Sequence, residues 1–181
     1  DCPRFGDREK GPDNSGYKQF LDPSDGSGKS ALYFRGMKSK VSTSSVPADQ
    51  IIIDERDKVS TRDYELAVKR ISHSEKGYRR EICTPTVPDY GIDAAFLRSD
   101  MRYWTMKCPA CGEWNQPEKT FRADGGPDRV LYEKDGTVYL GCRRCAARLD
   151  PARGEWVADF PDRTDIAGFH VSQLYSQIVQ A

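Results

Sequence analysis

The chain has 181 residues, with 28 Lys or Arg balanced by 28 Asp or Glu, so its formal net charge is zero and any basic surface for an anionic partner must be local. Charged residues make up 31% and mean hydropathy is -0.74; no apolar stretch approaches the roughly 20 residues that span a bilayer, and no signal-peptide pattern opens the chain, so it reads as cytoplasmic in character. This length accommodates one good-sized domain with a small satellite.

In chain order, Asp1 opens without Met and Cys2 to Asp7 are turn material, so the chain reads as an excerpt from a longer protein. Residues 1 to 30 are rich in Gly, Pro, Asp and Ser and read as loop, with Tyr17 to Leu21 apolar enough for a short strand or turn. Gly26-Ser27-Gly28-Lys29-Ser30 imitates the end of a phosphate-binding loop, but the pattern G-x-x-x-x-G-K-[ST] requires Gly where this chain has Pro23. The strand-like Ala31 to Gly36 follows it, where a phosphate-binding loop would open a helix; a flexible turn before a strand is the reading favoured. Lys38 to Asp49 is a polar connection. Ile51-Ile52-Ile53 is a β-branched run expected to form a parallel strand covered on both faces, and Asp54 and Glu55 follow at its carboxyl end. In open α/β sheets that end lines the ligand crevice, where an acid pair is well placed to hold a metal and a water. The competing reading is a strand exiting into an acidic, solvated turn. Ser60 or Thr61 caps a helix running through Tyr64, Leu66, Ala67, Val68 and Ile71. A strand from Tyr78 to Cys83 comes next and closes on Thr84-Pro85-Thr86. Strand, helix, strand in this order predicts a parallel sheet.

Near Tyr103 the composition changes. Cys108-Pro109-Ala110-Cys111 and Cys142-Arg143-Arg144-Cys145 are two C-x2-C pairs with 30 residues between them. Four thiolates suit a tetrahedral zinc, each pair forming a knuckle that puts two sulfurs on one ion. The spacer holds a predicted hairpin, Val130 to Lys134 and Thr137 to Leu140 around the turn pair Asp135-Gly136. Knuckle, hairpin and knuckle make a zinc ribbon. Four sulfur ligands leave no position for a catalytic water, so the zinc is structural; a disulfide framework and a redox iron site are the weighed alternatives. Arg143, Arg144 and Arg148 make one edge basic, fit either for a phosphate backbone or for solvated surface ion pairs. Cys83, in an apolar strand, reads as buried packing. His73 and His170 read as structural, and Trp104, Trp114 and Trp156 as packing around the ribbon rather than base-stacking platforms. After Pro151, Trp156 and Ile166 to Val171 are expected to return toward a core.

Ile51-Ile52-Ile53-Asp54-Glu55 resembles the Walker B element of nucleotide triphosphatases. The wider succession resembles the large terminase subunit of tailed bacteriophages, in the lambda-type family with a zinc-ribbon insertion. Its signposts are Leu32-Tyr33-Phe34-Arg35-Gly36, Val46-Pro47-Ala48-Asp49, Ile53-Asp54-Glu55, Cys83-Thr84-Pro85-Thr86, Ser99 to Trp104, Lys107 to Gly112 and Gly168 to Tyr175. That resemblance implies an α/β fold in which part of a P-loop-type ATPase parallel sheet carries a small zinc-ribbon β insertion. Residues 1–105 would be the C-terminal part of the ATPase domain, 106–150 the ribbon and 151–181 a return to the ATPase core. It further implies ATP as substrate, Asp54 on Mg2+, Glu55 activating water, Thr84-Pro85-Thr86 as the coupling motif, and Zn2+ on Cys108, Cys111, Cys142 and Cys145. The implied partners are double-stranded DNA, portal protein, small terminase subunit and further copies of the chain, with no membrane, in the host cytoplasm. The chain departs from the family in lacking the phosphate-binding loop and the nuclease domain, so slow or absent ATP hydrolysis is expected of this piece alone. A non-enzymatic zinc-ribbon module for nucleic acid or protein, and a helicase-like triphosphatase fragment, are the alternatives.

Overall fold

The structure, a computed structural model, describes residues 10–21, 25, 28–37, 46–123 and 130–175. Cys2, Pro23, Gly26, Ser27 and most of the connection from Lys38 lie outside the described residues. The fold is mixed α/β, with parallel and antiparallel sheets, and divides into two compact units, Asp1–Thr84 and Pro85–Ala181.

In the first unit, β1 (Lys10–Asn14), β2 (Tyr17–Leu21) and β3 (Gly28–Tyr33) form an antiparallel sheet in that order. The composition of residues 10 to 14 reads as loop, yet they form a strand, because strand formation here depends on the β2 ladder rather than on local propensity. The register shifts between Lys10 and Asp13. Pro12, which has no N–H to donate, thus falls in an irregular stretch of an edge strand. Gly28, Lys29 and Ser30 belong to β3, so the described part of the loop-like motif is antiparallel strand, in keeping with the turn-and-strand reading. Tyr17 and Tyr33 are cross-strand partners with ring centroids 5.0 Å apart.

The unit's second sheet pairs β4 (Gln50–Asp54) with β5 (Tyr78–Ile82), parallel and in unbroken register from Gln50↔Tyr78 to Asp54↔Ile82. Between them run a 3-10 turn (Arg56–Lys58), α1 (Thr61–Val68) and a second 3-10 turn (Lys69–Ile71). Ser60 starts the helix, its Oγ accepting the Asp63 N–H at 3.1 Å, which satisfies one of the amides a helix start leaves open. Ile53, Val59, Ala67 and Ile71 are buried. The isoleucine run is nevertheless covered on one face only among the described residues. Side chains alternate along a strand, so Ile52 points away from Ile53 and is 55% exposed, and Tyr78 and Ile82 beside it are 58% exposed.

In the second unit, α2 (Gly91–Arg98) leads into β6 (Arg102–Lys107), the central strand of an antiparallel and parallel mixture. β7 (Trp114–Asn115) pairs with its end. α3 (Pro117–Ala123) and the hairpin β8 (Leu131–Lys134) and β9 (Thr137–Leu140) follow. The hairpin turns on Asp135 (φ 53°) and Gly136 (φ 73°), both left-handed, as a two-residue type I′ turn requires. β10 (Glu155–Ala158) then pairs antiparallel with β6, and β11 (Phe169–His170) pairs parallel on its other side. Met106, Cys108, Leu140, Cys142 and Leu149 form the buried cluster, with Trp104, Leu174 and Tyr175 packed against it. Trp104 meets Trp156 at 5.1 Å and donates its indole N–H to the Pro151 carbonyl at 3.0 Å. The expected return of residues 166–171 to a core is only partial: Phe169 and Val171 stay exposed, because the short β11 borders one strand and alternate residues face outward.

Candidate functional site

The register of β4 and β5 brings two of the singled-out segments to one rim. Asp54 ends β4 opposite Ile82, and Thr84 lies two residues past that rung on the neighbouring chain. Asp54, Glu55, Thr84, Pro85 and Thr86 are all exposed. The compact units divide between Thr84 and Pro85, inside that motif. Glu55 has φ 54°, a left-handed conformation that costs a residue with a Cβ about 1–2 kcal/mol. Backbone strain of this kind concentrates at sites where a side chain must be aimed. The Glu55 N–H donates to Asp54 Oδ1 at 2.9 Å, and the Lys58 N–H returns to the Glu55 carbonyl at 2.9 Å. The Lys58 ammonium reaches Glu55 Oε2 at 2.6 Å. Its hydrogen bond to Glu55 and the charge of that carboxylate hold the Lys58 pKa above its ordinary value.

Beneath the rim, Glu81 gathers three partners. Its carboxylate accepts the Tyr64 hydroxyl at 2.7 Å and pairs with Arg56 at 3.3 Å and Arg79 at 3.0 Å, while the Arg56 guanidinium lies 3.7 Å from the Tyr64 ring centroid. Burial first, and the Glu81 hydrogen bond second, raise the Tyr64 pKa. Arg56 is therefore anchored in the fold while Glu55, one residue before it, projects outward. Cys83 is half-buried, and its sulfur accepts the Asp57 N–H at 3.4 Å and donates to the Thr84 carbonyl at 3.2 Å. It thereby links the turn after the acids to the start of Thr84-Pro85-Thr86. Sequence inspection missed Lys58 and Glu81: Lys58 stands three residues from Glu55, a spacing seen on many surfaces, and Glu81 acquires meaning only through pairing with Ile53.

In the second unit the sulfurs of Cys108, Cys111, Cys142 and Cys145 all lie within 4.8 Å of one another, and this cluster could hold a metal ion. The two knuckles repeat one backbone design. Gly112 and Ala146 each donate an N–H to the carbonyl of the first cysteine of their knuckle, at 3.0 and 2.8 Å. Cys108 and Cys142 each donate to the carbonyl five residues on, Glu113 at 2.8 Å and Ala147 at 2.9 Å. Gly112 and Ala146 are both left-handed, at φ 73° and 57°. Asn115, buried, joins the knuckles: it accepts the Arg143 N–H at 2.9 Å and donates to the Glu113 carbonyl at 2.8 Å. Zn–S bonds of about 2.3 Å in a tetrahedron separate sulfurs by about 3.8 Å. Cys108 to Cys145 is 3.6 Å and Cys111 to Cys142 is 3.7 Å, so the set fits an ion of that size.

The thiols do not titrate alike. For Cys142, burial pushes upward, but the Arg144 and Cys145 amides and Asn115 prevail and bring it down to about 6. For Cys111, the Glu113 backbone pulls downward, but burial and the three neighbouring thiols prevail and push it up to about 12. One thiolate thus makes the next harder to form, the crowding that a dication relieves. Arg143 pairs with Glu113 at 2.5 Å and holds its carboxyl below the ordinary value, so part of the basic edge is neutralised within the ribbon.

His73 is exposed. His170 is half-buried, stacked at 5.9 Å on Tyr103 and 2.9 Å from the buried Glu118 carboxylate, a structural setting. Trp104 packs against the ribbon core, whereas Trp114 is 45% exposed with the Lys107 ammonium 5.5 Å from its ring centroid.

A family model, phage terminase large subunit gpA, ATPase domain, matches residues 23–158, a span that includes the acids, Thr84 to Thr86 and all four cysteines. No curated protein and no solved structure matches the chain.

Proposed function

Since this chain belongs to the phage terminase large subunit family, in its ATPase domain, we propose that it forms part of the motor that couples ATP hydrolysis to packaging of double-stranded DNA into a capsid. Glu55 accepts a proton from the water whose oxygen bonds to the terminal phosphorus of ATP, as the bond from that phosphorus to the bridging oxygen breaks and ADP and phosphate form. Asp54 would hold Mg2+, which would supply positive charge to offset that of the phosphates. The observation that carries this reading is the parallel register of β4 and β5, which sets Asp54 and Glu55 at the carboxyl rim beside Thr84.

Thr84-Pro85-Thr86 is the coupling segment in this reading, beginning two residues past the rung that pairs Asp54 with Ile82. The β4–β5 pair belongs to a P-loop-type sheet, and Cys108, Cys111, Cys142 and Cys145 hold a structural Zn2+ in the ribbon. Portal protein, small terminase subunit and further copies of the chain are the partners, in the host cytoplasm; no described helix is long and apolar enough to cross a membrane. The test is ATP turnover by the full-length large subunit. Glu55→Gln is expected to lower kcat by about 10²- to 10⁴-fold with circular dichroism unchanged. A variant that keeps more than half of the wild-type rate contradicts the assignment.

A further inference from the structure

The 3-10 turn after the acids brings Lys58 back onto Glu55. The left-handed Glu55 bends the chain, and the Lys58 N–H closes on the Glu55 carbonyl. Three residues on, the ammonium reaches the carboxylate of the same residue at 2.6 Å. Arg56, the turn's other cation, is committed to Tyr64 and Glu81 and cannot substitute. The ammonium on Oε2 engages one of the two oxygens with which the carboxylate could take a water proton and fixes the direction in which the other points. Yet the pair is exposed, 72% for Lys58 and 56% for Glu55, and exposed pairs are weak enough to be exchanged for a stronger partner. A phosphate oxyanion is such a partner.

We propose that Lys58 is a positioning residue that restrains Glu55, and that a phosphate oxyanion arriving at the rim draws the ammonium away and frees the carboxylate. This rests on the reading of Glu55 as the group that takes the water proton. The phosphate belongs either to the DNA backbone or to ATP itself, and kinetics separate the two.

The experiment compares ATP turnover of the full-length large subunit, with and without linear double-stranded DNA and across ATP concentration, for wild type, Lys58→Met and Lys58→Arg. If DNA phosphate releases Glu55, Lys58→Met raises the DNA-free kcat by about two- to fivefold, the scale of an exposed ion pair, and lowers stimulation by DNA by the same factor. If the nucleotide's phosphate does so, kcat is unchanged, stimulation is retained and KM for ATP rises by a similar factor. Lys58→Arg, which keeps the charge, stays within about twofold of wild type in either case. The restraint is overturned if Lys58→Met lowers kcat with KM unchanged, if it moves kcat, KM and stimulation by less than about twofold, or if Lys58→Arg is as altered as Lys58→Met. Glu55→Gln, assayed alongside, distinguishes the two failures. An inactive Glu55→Gln with an unaltered Lys58→Met sinks the restraint alone, whereas an active Glu55→Gln sinks the reading beneath it.

Discussion

The acid rim and the thiol knuckles both assemble charged groups from short sequence motifs, but the chain treats them in opposite ways. In the knuckles each first cysteine has both its N–H and its carbonyl engaged in its own turn, Cys108 and Cys142 are buried, and Asn115 ties one turn to the other. At the rim Asp54 and Glu55 are exposed, Glu55 is strained, and its nearest cation is a solvent-exposed lysine. What is fixed there lies one layer down, in the Arg56, Tyr64, Arg79 and Glu81 network. A site that only holds an ion gains from complete satisfaction, since an unpaired buried group is costly. A site that must admit and release a charged substrate keeps its reacting groups open and anchors their neighbours instead.

The comparison predicts effects of unequal size. If the four cysteines hold Zn2+ as proposed, chelation or Cys142→Ala should abolish protection of residues 106–150 in hydrogen-exchange measurements, since structural zinc binding is worth on the order of 10 kcal/mol or more. Amides of β4 and β5 should keep theirs; uniform loss would mean that the two regions are not independently stabilised. Glu81→Ala leaves Arg56 and Tyr64 without their shared acceptor and should destabilise the first unit by about 2–3 kcal/mol in urea titrations. Little change would show that the rim's underlayer is not what anchors Arg56.

The repeated knuckle design gives a paired prediction. Gly112→Ala should cost about 1 kcal/mol of ribbon stability, and Ala146→Gly should be neutral or stabilising by up to about 1 kcal/mol, because the same left-handed position carries Gly in one knuckle and Ala in the other. Thermal melts of the zinc-bound protein read both. Tyr175, packed against the ribbon core, supplies the smallest effect. Burial and then the nearby Glu118 carboxylate push its pKa up to about 12. A raised pKa favours the neutral phenol in the folded chain, so this contribution is full below the unfolded value of about 10 and is lost as pH rises toward 12. Tyr175→Phe should flatten that alkaline loss, followed by tyrosinate absorbance alongside unfolding.

Local signals made much of this legible in the sequence. The β-branched run, the Ser60 cap and the strand after it are each specified by near neighbours, and their parallel pairing follows from their order. Cysteine spacing and Asp135-Gly136 likewise announce the thiol cluster and the hairpin turn. Features made by distant partners were not legible. Gly11, Pro12, Asp13 and Asn14 form a strand because β2 offers a ladder, and the buried pairing of Glu118 with His170 joins α3 to β11. Nor does composition reveal a left-handed glutamate, because the conformation belongs to the turn rather than to the residue type. The exposure of Ile52 was missed for a related reason: a triple isoleucine run indicates a strand but not how many faces are covered.

The most direct test of the claim that Asp54 and Glu55 face bound nucleotide uses Mn2+ with ATP on methyl-labelled full-length subunit. Paramagnetic broadening should be strong at the methyls of Ile52, Ile53 and Ile82, which flank the rim, and absent when diamagnetic Mg2+ replaces Mn2+. Sharp Ile53 and Ile82 signals in the presence of saturating Mn2+ and ATP would contradict the account.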